Sequence, residues 1–458
     1  MSAVTLMRSA VSQTSEGRSQ RQIGERWVRV LSLVAVTVAT WMLCTLMGGT
    51  WMFVARDRHP HEALVEAGPI SLDYVFLALF ASVLLVPSLL GLLTQAARAN
   101  LGGREEHLAV LRLIGATAGE VRGMMILESL RQALVGLVLG SVLYVVTCPA
   151  WSLLTFQEKR VGAWEMFTWW VIPAAWIVVL VLAACSVWLA LRRVAVTPLG
   201  VTKKIPPKGQ SWITLVLSVV GAVVLYRALG SKNIAPGADA AEYAGMLVVA
   251  GGILTVNALI AVGIIQLLAR LSYGVPGAAN YVATRRVGRG AKTTWKRVTA
   301  LYFVAFIGGI GGWFSAVPEI DEEPALKMIA GDIPSGVAIT VVFATVLMVS
   351  STLLTQALSV VEQKQLTKSF YFIGAPAAFH TKVAAREVGV PMLVVALLGF
   401  GMGSLMGTAM VLVHVNVLDK LALFGGFVVV ALIGCVLAVL GTGRLREKVL
   451  LGMGRAND

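Results

Sequence analysis

Two charged segments hold the residues of this chain best placed for specific chemistry, and their types suit docking rather than catalysis. The first carries Arg104, Glu105 and Glu106, then Leu108, Leu111 and Ile114 with Arg112 among them, then Gly115 and Glu120. Leu108, Leu111 and Ile114 have the spacing of one helical face, and Gly115 can supply the turn at that helix's end. Such an element would rest on a membrane by its apolar side and present its charges to water. An ordinary re-entry turn explains a single copy equally well. The chain, however, carries the segment twice. Leu92 to Ala96 and Leu353 to Ala357 both read LLTQA, and Gly115, Glu128 and Gly140 each return after one interval as Gly374, Glu387 and Gly399. The second copy keeps Glu362, Lys364, Lys368 and the turn glycine Gly374. A repeated polar hairpin between apolar stretches is what a protein presents to two copies of a partner.

Other charged groups give narrower signals. Glu128 and Arg131 lie one helical turn apart and can pair within a helix, with Glu387 as the repeat of Glu128 and Arg386 as the substitute cation. Glu319, Asp321, Glu322, Glu323 and Asp332 make one loop acidic, either a solvated surface or an attractor for a cationic molecule. His59 and His61 flanked by Asp57 and Glu62 are too short and isolated a pattern to define a metal site, and no metal is expected. Gly288-Arg289-Gly290-Ala291-Lys292-Thr293 has the flavour of a phosphate loop with the wrong spacing. No nucleophile elbow and no HExxH occurs, so no catalytic residue is assigned.

The elements that position these residues are apolar helices. Hydrophobic residues make up 57% of the 458 and charged residues 14%, far from the composition of a soluble domain. Runs such as Leu31 to Val54 and Leu421 to Val439 approach or exceed the roughly 20 residues that cross a bilayer. We read about ten spans, near 30–54, 71–95, 123–147, 167–190, 211–229, 243–269, 299–316, 336–358, 388–413 and 421–442. The expected architecture is an all-α polytopic membrane protein in a 4+2+4 arrangement. An N-terminal arm, 1–29, precedes a first four-helix repeat, 30–192. Connectors and two linking helices, 193–298, lead to a second repeat, 299–443, and a tail, 444–458.

Charge sets the orientation. The net charge of +14 gathers on the side that holds both termini, including Arg192, Arg193, Lys203, Lys204, Arg285, Arg286 and Arg289. The positive-inside rule makes that side cytoplasmic. The basic balance therefore reads as topology, and no nucleic-acid partner is expected. Spans two and eight run the same way, so the repeats are parallel. Gly136 with Gly140, and Gly399 with Gly403 and Gly407, form small-residue ridges on spans three and nine, either a seam between the two repeats or static packing. Trp51, Trp151, Trp164, Trp169, Trp170 and Trp313 gather at the outer ends of spans, as an interfacial belt should. The arm from Glu16 to Arg29 reads as an amphipathic surface helix or a solvated tail.

The run from Arg104 to Arg122, REEHLAVLRLIGATAGEVR, followed by Glu128, resembles the hallmark region of FtsX-like (MacB-type) ABC transporter permeases. Arg192-Arg193-Val194 with Thr197-Pro198-Leu199-Gly200-Val201 resembles the end of such domains, and the ten-span layout is similar to the BceB-like branch. The large extracellular domain of those proteins is missing, since the loop between spans seven and eight covers only about Pro318 to Pro334. The resemblance implies a permease of the bacterial plasma membrane with both termini cytoplasmic. It also implies a separate cytoplasmic ABC ATPase, two copies per chain, that carries ATP and Mg, so this chain binds no cofactor itself. The expected cargo is an amphipathic, peptide or lipid-like molecule, with antimicrobial peptides or lipids foremost and membrane lipid as a contact. The alternative is a signalling permease that relays ATPase motion to a partner.

Overall fold

The computed structural model describes residues 3–68, 70–99, 118–193, 211–230, 239–314, 324–362 and 377–410, with isolated positions between 422 and 437. Almost all of this is helix. Among the described residues six helices are long and apolar enough to cross a membrane, and 171–186 and 212–228 are shorter apolar helices. The chain is an all-α, multi-pass membrane protein.

Helix α1, Ala3–Arg58, joins the arm and the first span in one continuous rod, with no proline to interrupt it. A single turn, α2 (Glu62–Ala67), leads to α3, Ser71–Ala99, which carries Asp73 in its first turn. Helix α4, Ala118–Thr147, runs through a short 3₁₀ turn, Cys148–Leu153, into a two-stranded hairpin. Its strands β1 (Thr155–Phe156) and β2 (Lys159–Arg160) pair antiparallel, Thr155 opposite Arg160. Helix α5, Val171–Arg193, follows the hairpin. Next come α6, Trp212–Gly230, and α7, Ala240–Leu271, followed by the short α8, Ala278–Arg289. The second repeat contributes α9, Ala291–Phe314, α10, Pro324–Glu362, and α11, Ala377–Met410.

Helix α9 is the centre of the assembly. Ala300 to Gly312 are all buried, because α3, α7, α8, α10 and α11 pack around it. A helix that is apolar on every side is stable only in such a position. Hydroxyls within the spans donate to the carbonyl four residues back, as Thr37 does to Leu33 and Thr345 to Val341. That arrangement satisfies a polar group where no water is present.

The glycine ridges close contacts inside each repeat. A Cβ on Gly136 would sit 2.7 Å from Val36 Cγ1, and one on Gly140 2.6 Å from Thr40 Cβ, so α4 lies directly on α1. A Cβ on Gly399 would meet the Tyr302 carbonyl at 2.5 Å, and one on Gly403 the Phe306 carbonyl at 2.1 Å. Helix α11 therefore lies against α9, with Gly309 answering from α9. The expectation of a seam between the repeats is corrected for these four glycines. The repeats meet instead where α1 and α3 pack on α10, and α3 on α9.

Candidate functional site: a cavity between the two repeats

The surfaces where the repeats meet do not fill the space between them. A cavity of about 190 Å³ lies between α1, α3, α9 and α10, under the β1–β2 hairpin. Its walls include Phe53, Leu77, Phe80, Ile310, Val337 and Phe343, with Trp151, Phe156 and Met166 overhead. Thr45, Thr50, Ser82 and Thr340 also face it, but each donates its hydroxyl to the carbonyl four residues earlier in its own helix. The lining thus offers hydrocarbon and aromatic surface with few free donors. It suits the apolar part of a molecule, with affinity driven by burial rather than directed bonds.

At the hairpin end of the cavity, where Tyr74 and Asp332 line its wall, a buried polar network ties the repeats together. Arg56, 4% exposed, is held by Glu165 through Nε at 2.6 Å and Nη2 at 2.9 Å. Its Nη1 donates to the Phe156 carbonyl at 2.9 Å and to Gln157 Oε1 at 3.3 Å. Gln157 and Glu158 adopt φ of 58° and 60°, a left-handed pair that makes the tight turn. Neither residue favours that region, so the neighbouring bonds must hold it. Asp332, from the second repeat, accepts from the Gln157 backbone N–H at 2.6 Å and from Tyr74 Oη at 2.7 Å. His61 Nε2 donates to the Gln157 carbonyl at 2.8 Å. One carboxylate of α10 therefore grips both α3 and the hairpin of the opposite repeat.

Burial pushes the Glu165 carboxyl up, but the Arg56 hydrogen bonds, the Gly162 N–H at 2.7 Å and the charges of Arg56 and Lys159 outweigh it. The net result lies below the usual carboxylate range. The pair stays ionised at neutral pH.

The opposite end of the contact is closed by the repeated motif itself. Gln95, in the first LLTQA, accepts at Oε1 from Ser351 Oγ at 3.0 Å and Thr355 Oγ1 at 2.7 Å. Thr355 belongs to the second LLTQA. Gln95 Nε2 also donates to the Lys296 carbonyl at 3.3 Å. The two copies of the motif meet in a polar clasp at the ends of α3 and α10 that lead into the charged hairpins.

The charged candidates divide as follows. Glu120 is exposed at the start of α4, and Glu128 and Arg131 are exposed further along it. Glu387 behaves differently from Glu128: it is mostly buried and pairs with Arg297 at 3.0 Å and Arg286 at 3.4 Å. Arg386 is exposed, so the substitute cations come from the connector. Arg104, Glu105, Glu106, Leu111, Arg112, Gly115, Lys364, Lys368, Gly374 and the acidic Glu319, Asp321, Glu322 and Glu323 lie outside the described residues, as does the side chain of Glu362. Asp332 joins the buried network as a latch between the repeats, accepting from Tyr74 and from the Gln157 N–H. Arg56, Gln157 and Glu165 carry no local sequence pattern that marks them as partners. Gln95 was visible only as a member of the repeat.

These features define a helical membrane protein with an apolar chamber between α1, α3, α9 and α10. Residues 79–199, from within α3 through the first charged hairpin to beyond α5, match the family model of the FtsX-like permease C-terminal region. No curated protein and no solved structure matches the chain.

Proposed function

We propose that this chain is the membrane permease subunit of an ATP-binding cassette transporter, and that the chamber between its repeats receives the apolar part of an amphipathic, peptide or lipid-like molecule. The match over residues 79–199 supports the subunit type, and the apolar cavity between the repeats carries the substrate reading. A separate cytoplasmic ATPase, one copy on each charged hairpin, supplies ATP, Mg and hydrolysis. Closure of the ATPase pair would draw the hairpins together. The Gln95 clasp stands between each hairpin and the chamber, so motion at one end reaches the latch at the other. Orientation follows the basic loops: the β1–β2 end faces outward, and the charged hairpins and both termini face the cytoplasm.

The test is coupling. Reconstituted with the chain in proteoliposomes, a partner ABC ATPase should hydrolyse ATP faster when amphipathic peptides or lipids are added. Charge reversal at Glu105, Glu106 and Glu362 should remove that stimulation while the chain remains folded. An ATPase that stays bound and fully stimulated after both hairpins are reversed contradicts the proposal.

A further inference from the structure

Two elements cover the outer end of the chamber, and they are fastened differently. The β1–β2 hairpin is fixed to α1, because Arg56 holds Glu165, the Phe156 carbonyl and Gln157. The other cover is the first stretch of α10, residues 324–333, which reaches the chamber with Asp332 and Ile333. Its Ala325 and Met328 pack on Leu64, Ile70 and Tyr74 in a small apolar patch separate from the main core. Phe53 packs on the same patch, so two walls of the chamber, Phe53 and Tyr74, lie beneath this stretch.

The residues that follow are suited to bend. Pro334 stands inside α10, where its ring leaves the Ala330 carbonyl without the usual helical donor. Ser335 and Gly336 come next, and helices kink at prolines and at Gly/Ser pairs. Close packing does not explain Gly336, which lines the chamber: a Cβ there would meet nothing within 4 Å, whereas one on Gly403 would meet a carbonyl at 2.1 Å. The fastening is a single oxygen. Asp332 Oδ2 accepts both from Tyr74 Oη at 2.7 Å and from the Gln157 N–H at 2.6 Å. A displacement of about 1 Å takes both bonds out of range together.

We infer that residues 324–333 form a flap over the outer end of the chamber, hinged at Pro334–Gly336 and latched by Asp332, and that its release opens the chamber to the water outside. Small, separately packed elements of this kind are what close and open binding sites. The inference rests on the reading of the chamber as the binding site and adds how that site is reached.

The experiment uses the full chain in proteoliposomes, without ATPase or cargo, with Cys44, Cys148, Cys185 and Cys435 replaced by alanine and Ala78→Cys introduced. Ala78 lines the chamber one helical turn below Tyr74. The rate at which a charged, membrane-impermeant methanethiosulfonate labels that thiol reports opening of the flap. Asp332→Leu should raise the rate roughly tenfold, the effect of losing two hydrogen bonds between membrane helices. Pro334→Ala restores the helical donor and stiffens the hinge, so it should slow labelling below the parent rate. Glu387→Gln, which weakens two ion pairs at the basic end, should leave the rate unchanged. A rate indifferent to Asp332→Leu, an equal rise with Glu387→Gln, or no slowing by Pro334→Ala overturns the inference. Pro334→Ala decides alone should Asp332→Leu fail to fold. Loss of ATPase stimulation with this labelling pattern intact would strike the transport reading and leave the flap.

Discussion

The contact between the two LLTQA copies can be measured directly. Gln95→Leu removes two accepted hydrogen bonds, from Ser351 at 3.0 Å and Thr355 at 2.7 Å, and one weak donation to the Lys296 carbonyl at 3.3 Å. A net side-chain hydrogen bond contributes about 1 kcal/mol, and bonds between membrane helices average about 0.6. The partners also have somewhere to go. Thr355 Oγ1 already lies 2.6 Å from the Ser351 carbonyl, so its proton is shared and a fallback exists. Leucine nearly matches the volume of glutamine, so no cavity term is added. The expected loss is therefore about 1–2 kcal/mol, not the larger cost of a stranded buried group. Reversible unfolding in mixed micelles with Gln95→Leu, Thr355→Val and the double variant isolates the contact. The cycle should give a coupling of about 0.5–1 kcal/mol. Strict additivity would mean that the two motifs do not touch, and the clasp would be wrong.

Three further outcomes follow from the same geometry. Arg56→Ala should cost about 3–5 kcal/mol, because it leaves Glu165 uncompensated and the Gln157–Glu158 turn unheld, and proteolysis within 155–165 would report it. The depressed Glu165 pKa means that the pair adds stability fully above the unfolded carboxylate value of about 4.3, and this is lost as pH falls through the lower folded value. The fluorescence of the exposed Trp164 and Trp169 should therefore change below about pH 4, a transition that Arg56→Gln removes. Gly403→Ala should destabilise the chain by about 1–3 kcal/mol, since its Cβ would stand 2.1 Å from the Phe306 carbonyl, whereas Gly401→Ala meets open space and should be neutral or mildly stabilising by thermal melting.

Much of the scaffold is legible in the sequence because apolar runs and their breaks are local signals. The bounds of α3, α4 and α7 fall close to where hydropathy places spans two, three and six. Gly136, Gly140, Gly399 and Gly403 stand out in the sequence by their helical spacing. Which helix each one meets depends on the chain path, and that path put the contacts within the repeats. The β1–β2 turn left no trace, because Gln157 and Glu158 are poor left-handed formers and distant partners, Arg56, His61 and Asp332, hold them there. Those partners lie about 100 and 175 residues away, beyond any local pattern. Glu387 shows the same limit, since its cations come from α8 and α9 rather than from the adjacent Arg386.

The chamber between the repeats is the centre of the account, and photolabelling tests it most directly. A diazirine-bearing fatty-acyl phospholipid, activated in proteoliposomes of the wild-type chain, should label cavity residues such as Leu77, Val337 and Phe343. Ala81→Trp, which fills the chamber from α3, should remove that labelling and leave the chain folded. Labelling confined to outward-facing positions such as Val138 and Val216, and unchanged by Ala81→Trp, would show that the chamber admits no such molecule.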